Sequence, residues 1–442
     1  MRKPDVPTPW QQLATEIEPQ RYREIFHGGT YYNLTDDYLH WDDLRRRPPP
    51  KGLTLPEWWV LLRARRAMHA QYLPLRDKAG LPFVFALPGK LLELLHEIDR
   101  GLGASWGLPE IATNPATRNE YITSSLIQES ITSSLLEGAA TTRDVAKEMI
   151  QSGRAPRDNG ERMVLNNYRT MQRIMEIREQ PLSAELIFEL HRQVTENTLE
   201  KSDGAGRLRR ADEQINVSDM EGNVYHMPPP AEELPARIET MCEFANNGVP
   251  GTFIHPVVRA IILHFWLAYD HPFIDGNGRT ARALFYWAML HSGYGVFEFI
   301  SISQILLNAP TKYAMAFLHT ETDGNDLTYF LLHQADVIRR ATQALQDYVS
   351  QKTARLRDLE KRLRGFAELN HRQQALLAHA LRTPEARYTV ASHRDSHVIS
   401  TQTARTDLDD LVSRGLLTTG KLGKAVTYQA ATDLSERLSK TG

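Results

Sequence analysis

Apolar residues recur at helical spacing along most of this chain. Leu91, Leu94, Leu95 and Ile98 form one apolar stripe, and residues 119–136 carry another. A spacing of three and four residues places side chains on one face of a helix. The same pattern predicts helices near 141–151, 158–179, 183–198, 231–246, 255–269, 280–292, 303–306 and 326–363. The sequence therefore predicts a mainly α fold.

Two regions depart from this spacing. Between residues 215 and 227, apolar residues alternate around a turn at Gly222, which predicts a β-hairpin with Ile215, Val217, Val224 and Tyr225 in its strands. Residues 44–51 hold three arginines and three prolines. Because consecutive prolines exclude helix, we expect a solvated loop there rather than a nucleic-acid patch. Helical spacing flanks this loop, as in 53–71.

The C-terminal part of the chain has a different order of elements. Helices are predicted at 371–380, near 390–397 and from Ser400 to Arg414. Ser400 is suited to cap the third helix and Gly415 to end it. Two short strands then flank a Gly/Lys turn at 420–424. Three helices followed by a β-wing are typical of a winged helix-turn-helix domain.

The composition is that of a folded protein. Of 442 residues, 41% are hydrophobic and 24% are charged, which excludes disordered, collagen-like and disulfide-stapled proteins. Lys and Arg number 52 and Asp and Glu 54, giving a net charge of −2. No global positive field therefore exists to hold nucleic acid without specificity.

The sequence also indicates the cellular compartment of the protein. The one cysteine, Cys242, cannot form an internal disulfide, and the N-terminal residues lack the apolar run of a signal peptide. The most apolar stretch, 257–269, contains Arg259 and His264 and is shorter than the roughly 20 apolar residues of a membrane span. We therefore expect a cytoplasmic protein that does not enter a membrane.

Candidate chemistry concentrates between His271 and Arg282. Glycines flank an asparagine at 276–278, and such a turn can direct successive N–H groups toward one anion. A helix is predicted directly after the turn, so its dipole adds to this attraction. Arg279 and Arg282 lie three residues apart, and their forked donors suit phosphate oxygens.

Two more side chains complete this set. Asp275 offers a hard oxygen ligand for a Mg²⁺ ion shared with a polyphosphate. His271 is the side chain whose ordinary pKa lets it take a proton near neutral pH. Each residue alone is also typical of a helix–loop–helix turn with solvated arginines. Their joint arrangement favours a site that binds a nucleotide-like polyphosphate and deprotonates a nucleophile.

Residues 271–282, HPFIDGNGRTAR, resemble the signature of the Fic family, HxFx(D/E)GNGRxxR, at every fixed position. Further similarity lies in 206–209, in the hairpin followed by three prolines at 228–230, in 255–256 and in 300–303. The resemblance covers residues 110–345. It implies an all-helical Fic core with a small β-hairpin flap. The winged helix-turn-helix domain predicted from the order of elements lies after this region.

The resemblance implies transfer of a nucleotide, most often AMP from ATP, to a Tyr, Thr or Ser hydroxyl of a protein. By motif position, His271 is implied as the general base and Asp275 as the Mg²⁺ ligand. The implied nucleotide-binding residues are Gly276, Asn277, Gly278, Arg279 and Arg282, with Asn277 at the α-phosphate and Arg282 at the γ-phosphate. Doc-type kinases carry lysine where Gly278 stands, so glycine favours adenylyl transfer.

The resemblance assigns two further groups of residues. The flap residues Ile215, Val217, Val224 and Tyr225 are implied to pair with the extended backbone of the target. Asn308 and Tyr313 stand where family members often contact adenine, and a purely structural role for both is equally open.

Residues 133–138 are similar to the inhibitory motif of the family, (S/T)xxxE(G/N). Ser133 and Glu137 lie four apart on one face of the helix predicted at about 120–138, although such a pair also occurs by chance in many helices. Because this helix precedes the signature, the resemblance implies that Glu137 pairs with Arg282 and misplaces the α-phosphate of ATP.

We interpret the chain as an autoinhibited protein adenylyltransferase in four parts. These are an N-terminal helical extension of unknown role at 1–90, a helical region with the inhibitory helix at 91–155, the Fic catalytic core at 156–350, and a linker helix with the winged helix-turn-helix domain at 351–442. Two alternatives stay open: a DNA-binding regulator whose Fic core senses nucleotide or modifies its own chain, and an enzyme that mainly removes AMP.

The C-terminal domain leaves its partner open. The third helix begins with residues suited to bases and phosphates, and the wing adds two lysines: Thr401, Gln402, Thr403, Arg405, Lys421 and Lys424. Against DNA stand Asp407, Asp409 and Asp410, which weaken the local positive field. Binding to a protein is equally consistent with the sequence, and a homodimer through a helical face is a further expectation.

Overall fold

The computed structural model describes residues 2–31, 33–102, 115–218, 221–365, 368–397, 399–422 and 425–440. The chain divides into two units, Met1–Ser105 with Ile122–Thr342, and Trp106–Tyr121 with Gln343–Gly442. The three parts predicted before residue 350 thus fall largely within one unit, and their separate boundaries stay predictions.

The first unit is mainly helical, which confirms the predicted fold class. The described helices between the N-terminus and residue 365, the last of which continues into the second unit, are α1 (Trp10–Glu16), α2 (Pro19–His27), α3 (Trp41–Leu44), α4 (Leu55–Met68), α5 (Gly89–Leu102), α6 (Pro115–Leu136), α7 (Arg143–Ser152), α8 (Asn159–Ile177), α9 (Ala184–Val194), α10 (Leu234–Asn247), α11 (Pro256–Asp270), α12 (Asn277–His291), α13 (Ile302–Leu307), α14 (Pro310–Thr322) and α15 (Thr328–Gly365). Helix α14 is missing from the predicted set. Its buried residues Ala316, Leu318 and Thr320 alternate instead of following helical spacing.

Helices α11 and α12 lie at the centre of this unit. Almost every residue of α11 from Val257 to Asp270 is buried. This helix carries apolar side chains on every face, so all of its faces pack inside the core. Residues 271–276 join it to α12, which is buried from Thr280 to Leu290. The signature segment therefore starts and ends on two helices that the core holds in place. Within the described ranges, no helix is long and apolar enough to cross a lipid bilayer.

Charged side chains fix the N-terminal region to the segment between α14 and α15. Arg63 on α4 contacts Asp323 at 3.1 Å and Asp326 at 2.8 Å. The hydroxyl of Tyr38 also donates to Asp326 Oδ2, at 2.9 Å. All four side chains are buried, so each charge depends on its partner for the solvation that water no longer provides.

A two-stranded antiparallel ladder, β1 (Gln71–Arg76) with β2 (Pro82–Phe85), corrects the predicted helix at 53–71. That helix ends at Met68. Leu73 and Leu75 are buried between exposed neighbours, which is the two-residue period of a strand. This signal was present in the sequence and our helical interpretation missed it.

The predicted hairpin is present but shorter than expected. Its strands are β3 (Val217–Ser218) and β4 (Val224–His226), with Gly222 at a φ of 82° in the turn. Among the described residues of the hairpin, Val217 pairs with His226 and Ser218 pairs with Val224, and Ile215 precedes the ladder. Asp219 and Met220, which we placed in the turn, lie outside the described residues.

The second unit contains the predicted three helices and hairpin. Its elements are α16 (His371–Arg382), β5 (Arg387–Tyr388), α17 (Val390–His397), α18 (Thr401–Ser413), β6 (Leu417–Leu422), β7 (Ala425–Ala430) and α19 (Leu434–Lys440). The strand order is β5-β7-β6. Strand β5 and helix α19 are additions to the prediction, and the winged-helix assignment stays a prediction.

The acidic residues of α18 are not all presented to solvent. Asp407 is buried and accepts from Arg372 Nε at 2.7 Å, and its Oδ2 lies 3.2 Å from His393 Nε2. Gln402 and Arg405 on the same helix are exposed. The negative field expected from Asp407 is thus neutralised within the unit. Lys424 and the side chain of Lys421 lie outside the described residues.

Replacing Arg63 with methionine tests the buried charge cluster. This substitution leaves Asp323 and Asp326 without their shared cation, so we expect the free energy of unfolding to fall by about 3–5 kcal/mol. The control is Lys90→Met, which removes an exposed pair with Glu93 and should leave the free energy of unfolding nearly unchanged, because water screens this pair. Chemical denaturation measures both, and equal effects would contradict the proposed anchoring.

Candidate active site

The loop between α11 and α12 reverses the chain within six residues. His271 ends α11 at a φ of 45° and Gly276 precedes α12 at a φ of 77°, both in the left-handed region. A Cβ at Gly276 would lie 2.6 Å from Thr195 Cγ2, which explains why glycine is required there. Phe273 between them is fully buried and anchors the loop in the core.

Asn277 closes this loop with its own side chain. Its Oδ1 accepts from the Phe273 N–H at 2.9 Å, and its Nδ2 donates to the Phe273 carbonyl at 2.8 Å. Both ends of the amide are therefore used inside the loop. The resemblance implied that Asn277 contacts the α-phosphate, but in this structure its side chain shapes the turn. Its backbone N–H lies at the start of α12, where the N–H groups of a helix attract anions.

His191 on α9 supports the same loop from outside and was missed by the sequence analysis. Its Nε2 lies 2.9 Å from the Asp275 carbonyl and its Nδ1 accepts from the Gly206 N–H at 2.9 Å. Since the carbonyl only accepts, Nε2 carries the proton. The ring also stacks on Phe273 at 3.7 Å between centroids. No local motif marks His191, because its partners are far away in sequence.

His271 is presented as a free base. Its Nδ1 lies 3.1 Å from the Ala268 carbonyl, so Nδ1 carries the proton and Nε2 keeps its lone pair. Among the described residues, no hydrogen bond engages Nε2. Burial lowers the pKa of His271 to about 4, although the hydrogen bond to Ala268 acts in the opposite direction. The imidazole is therefore neutral at physiological pH.

Arg209 holds the backbone of the same segment. Its Nε donates to the His271 carbonyl at 3.0 Å, its backbone N–H donates to the Pro272 carbonyl at 2.8 Å, and its guanidinium also contacts the Pro229 carbonyl. Arg209 belongs to the stretch 206–209 that resembles the family, but the sequence assigned it no role. It links the end of α11 to the segment that follows the flap.

Arg282 is buried among residues of the predicted inhibitory motif. Its Nε donates to Ser133 Oγ at 2.8 Å, and its Nη2 donates to the Ser133 carbonyl at 2.9 Å and to Glu137 Oε1 at 2.8 Å. Burial opposes the charge on Glu137, but the adjacent Arg282 outweighs it and lowers the pKa of Glu137 below its ordinary value. The two residues thus form an ion pair, as the motif implies.

The carboxylate of Glu137 lies against the first turn of α12. A Cβ built on Gly278 would approach Glu137 Oε1 to 2.2 Å, so this carboxylate occupies the space directly above the glycine. The helix N-terminus attracts anions at this position. Glu137 therefore fills the place that the sequence analysis assigned to a phosphate, and Gly278 is what lets it approach.

The other predicted phosphate ligand, Arg279, is enclosed by protein. It donates to the Val194 carbonyl at 3.1 Å, and its Nη2 lies 3.7 Å from Asp275 Oδ2. Its side chain is 1% exposed, and its buried Nε has no hydrogen-bond partner among the described residues. Burial lowers the pKa of Arg279. An anion at the start of α12 would add to the long contact that this arginine makes with the partly exposed Asp275.

Asp275 fits the role of a ligand to a metal ion that arrives with a nucleotide. Its side chain is 59% exposed, and Oδ1 accepts from the Gly276 N–H at 2.6 Å. Among the described residues, no three His, Cys, Asp or Glu side chains cluster as a metal site. One open carboxylate beside an anion site suits Mg²⁺, which prefers one or two carboxylates together with phosphate oxygens and water.

A cavity of 240 Å³ brings together His271, Gly278, Arg282 and Glu137, whereas Asp275, Gly276, Asn277 and Arg279 do not line it. It is lined by Glu137, Val217, Tyr225, His226, Ala268, Tyr269, His271, Gly278, Arg282, Tyr313, Ala314, Phe317, Leu318 and Glu321. Of the predicted flap residues, Val217 and Tyr225 line it, and Ile215 and Val224 do not. Tyr313 lines it with its hydroxyl 2.8 Å from His264 Nε2. Asn308 is exposed after the end of α13 and does not line this cavity, and its contact with adenine stays a prediction.

Part of this chain is similar in sequence to known proteins. Residues 181–289 match the model of the Fic/DOC family. The chain is 35% identical over 108 residues to "Protein adenylyltransferase Fic" of Nematostella vectensis, a stretch that covers 24% of this chain and 23% of that protein. It is 34% identical over 108 residues to the Drosophila melanogaster protein of the same name, covering 24% and 20%. The match thus spans less than a quarter of each relative.

A solved structure extends the similarity beyond this stretch. The fold resembles that of a Fic family protein from Desulfovibrio desulfuricans G20, with a TM-score of 0.54 over 78% of this chain and 96% of that chain. Sequence identity between the two is 18%, so this similarity concerns the fold alone.

Replacing His191 with phenylalanine tests how the loop is held. The variant keeps a ring against Phe273 but loses both hydrogen bonds, so we expect the free energy of unfolding to fall by about 1–3 kcal/mol. Amide hydrogen exchange at residues 274–278 should become faster, because the Asp275 carbonyl is no longer held. His27→Phe, at an exposed position on α2, is the control. Unchanged exchange in His191→Phe would contradict this role.

Proposed function

This chain contains a domain of the Fic/DOC family, and on this premise we propose that it is an autoinhibited protein adenylyltransferase. It transfers AMP from ATP to the hydroxyl of a Tyr, Thr or Ser side chain of a protein. The observation that carries the proposal is the juxtaposition, in one cavity, of the His271 imidazole, the glycine-lined start of α12 and Arg282. The stretch of 108 residues that is similar to the two proteins named above supports the proposal.

The proposed reaction uses the proton affinity of His271. Its Nε2 takes the proton of the target hydroxyl as the oxygen attacks the α-phosphorus of ATP. A new oxygen–phosphorus bond forms, the bond from the α-phosphorus to the bridging oxygen breaks, and pyrophosphate leaves with the electron pair. The N–H groups at the start of α12 stabilise the negative charge that builds on the α-phosphate.

Two side chains would orient the triphosphate. Asp275 would hold Mg²⁺, which neutralises phosphate charge when it is bound. Arg282 would contact the γ-phosphate once its partner has left. Both assignments come from motif position and are consistent with the exposed carboxylate and the guanidinium that lines the cavity.

Glu137 would keep this site inactive. Its carboxylate lies where an anion would bind and it neutralises Arg282, so a triphosphate must either displace it or bind with its α-phosphate out of line. Removing the carboxylate should therefore release the activity. Autoinhibition by Glu137 and the use of ATP and Mg²⁺ are parts of the same proposal.

Labelled ATP tests the proposal directly. With Mg²⁺, we expect faint self-labelling of the native chain and at least about tenfold stronger labelling of Glu137→Gly, since Arg282 becomes available to phosphate. Adding His271→Ala should abolish the label. Glu200→Gly, which removes an exposed carboxylate outside the helices, is the matched control and should label like the native chain.

Other outcomes favour the alternatives. Nucleotide binding without any label in Glu137→Gly would contradict transfer and favour a nucleotide-sensing regulator. Release of AMP from a modified protein by the native chain, lost in Glu137→Gly, would favour an enzyme that removes AMP.

The pH dependence of labelling tests the role of His271. The neutral imidazole is the base, so the rate in Glu137→Gly should be level through neutral pH and should fall as the pH drops toward the His271 pKa of about 4. Glu137 raises this pKa, and its removal should move the fall to lower pH rather than higher. Initial rates across the pH range measure this, with circular dichroism as the folding control. A decline beginning near neutral pH would contradict the assignment.

A further inference from the structure

The flap is too small to hold its own shape. In the part of the flap that the structure describes, which leaves out residues 219–220, strand β3 has two residues and β4 has three, and the register between them is irregular. An isolated hairpin of this size is unstable in water. Its position must therefore be set by contacts outside the ladder, and the end of β4 provides one.

His226, the last residue of β4, connects the flap to two helices. Its Nδ1 lies 2.7 Å from Glu321 Oε2 on α14, and its Nε2 lies 2.7 Å from the carbonyl of Tyr269 on α11. The His226 side chain is 8% exposed. Tyr269 precedes His271 by two residues, so this one ring relates the flap to the helix end that carries the catalytic base.

The partners of His226 determine its protonation state. A carbonyl oxygen and an ionised carboxylate only accept hydrogen bonds, so both ring nitrogens must donate. The ring is then an imidazolium that is paired with Glu321. The other charged groups near it have their own partners: Asp270 on α11 pairs with Arg237, and Arg209 donates to backbone carbonyls. Glu321 is therefore the carboxylate that holds the charge on this ring.

The pair also forms part of the active-site wall. His226 and Glu321 line the 240 Å³ cavity together with Val217, Tyr225 and His271. Glu321 and Tyr225 also line an adjacent cavity of 320 Å³. A displacement of the ring would shift the flap relative to both cavities, and a misplacement of about 1 Å can cost about a hundredfold in rate.

We propose that the His226–Glu321 ion pair is a positioning device for the transfer reaction. It holds the flap in the position that brings a hydroxyl docked along β3 and β4 to Nε2 of His271. The proposal rests on the proposed function, because it concerns the alignment of the target rather than the binding of the nucleotide. Neither residue touches the reacting atoms, so both are positioning residues.

The test uses the full chain in the Glu137→Gly background, with labelled ATP and the chain itself as acceptor. His226→Gln and Glu321→Gln should each lower kcat for self-labelling by about tenfold or more, since target alignment is lost. The KM for ATP and the calorimetric Kd for ATP should stay within about twofold, since the start of α12 is untouched. The double variant should be no slower than the slower single variant, because both remove one interaction. Glu243→Gln, an exposed carboxylate on α10, is the matched control and should leave kcat unchanged.

Nitrogen NMR of the chain labelled on histidine provides a second readout. At neutral pH the His226 ring, assigned by its loss in His226→Gln, should show two protonated nitrogens. In Glu321→Gln it should show one protonated and one bare nitrogen. If His226→Gln does not fold in a thermal scan, Glu321→Gln carries both measurements, because glutamine has the shape of glutamate and removes only its charge.

The outcomes separate this proposal from the one before it. An unlabelled Glu137→Gly parent overturns the proposed function and this proposal with it. A labelled parent whose kcat is unchanged by either variant overturns this proposal alone. A parallel loss of ATP affinity, or a neutral His226 ring in the native chain, also overturns it and leaves adenylyl transfer standing.

Discussion

The whole site depends on one tight turn between two buried helices. Because α11 and α12 are fixed by the core, residues 271–276 have little freedom, and two of them adopt left-handed backbone angles. The amide of Asn277 closes the turn from inside, and His191 and Arg209 hold it from outside. The position of the His271 ring and the direction of the N–H groups of α12 both follow from this turn.

The charged and titratable side chains of the site lie close to that turn. Burial makes His271 neutral and lowers the pKa of Arg279, while Arg282 is paired with Glu137. A carboxylate at a helix N-terminus uses the same attraction that a phosphate would use. In this structure the carboxylate of Glu137 therefore lies where the proposed triphosphate would bind.

The surroundings of the turn give residues 1–90 a structural role. Arg63 fixes them to Asp323 and Asp326, which lie just after α14, and α14 carries Glu321 and Tyr313 into the cavity. The N-terminal region thus supports the helix against which the flap rests. This dependence explains why a segment with no recognisable chemistry packs into the same unit as the site.

Local signals in the sequence determined the helices and the signature. The spacing of apolar residues predicted α5 to α12, Ser400 capped α18 as expected, and the glycines at 276 and 278 marked the turn before α12. These features depend on neighbours within a few residues, so the sequence alone contains them. The contact of Glu137 with Arg282 was implied only by the resemblance of residues 133–138 to the inhibitory motif of the family, and the structure contains this contact.

Only the tertiary structure decided how the site works in detail. The contacts of His191 with Asp275 and of His226 with Glu321 join residues far apart along the chain, and no periodicity encodes them. The same holds for the lowered pKa of His271, because burial by distant helices causes it. The sequence determined which groups are present and on which elements they lie. Packing decided which of these groups face the cavity, which of them hold the turn, and which ring nitrogens carry a proton. These properties depend on distances that only the folded chain sets.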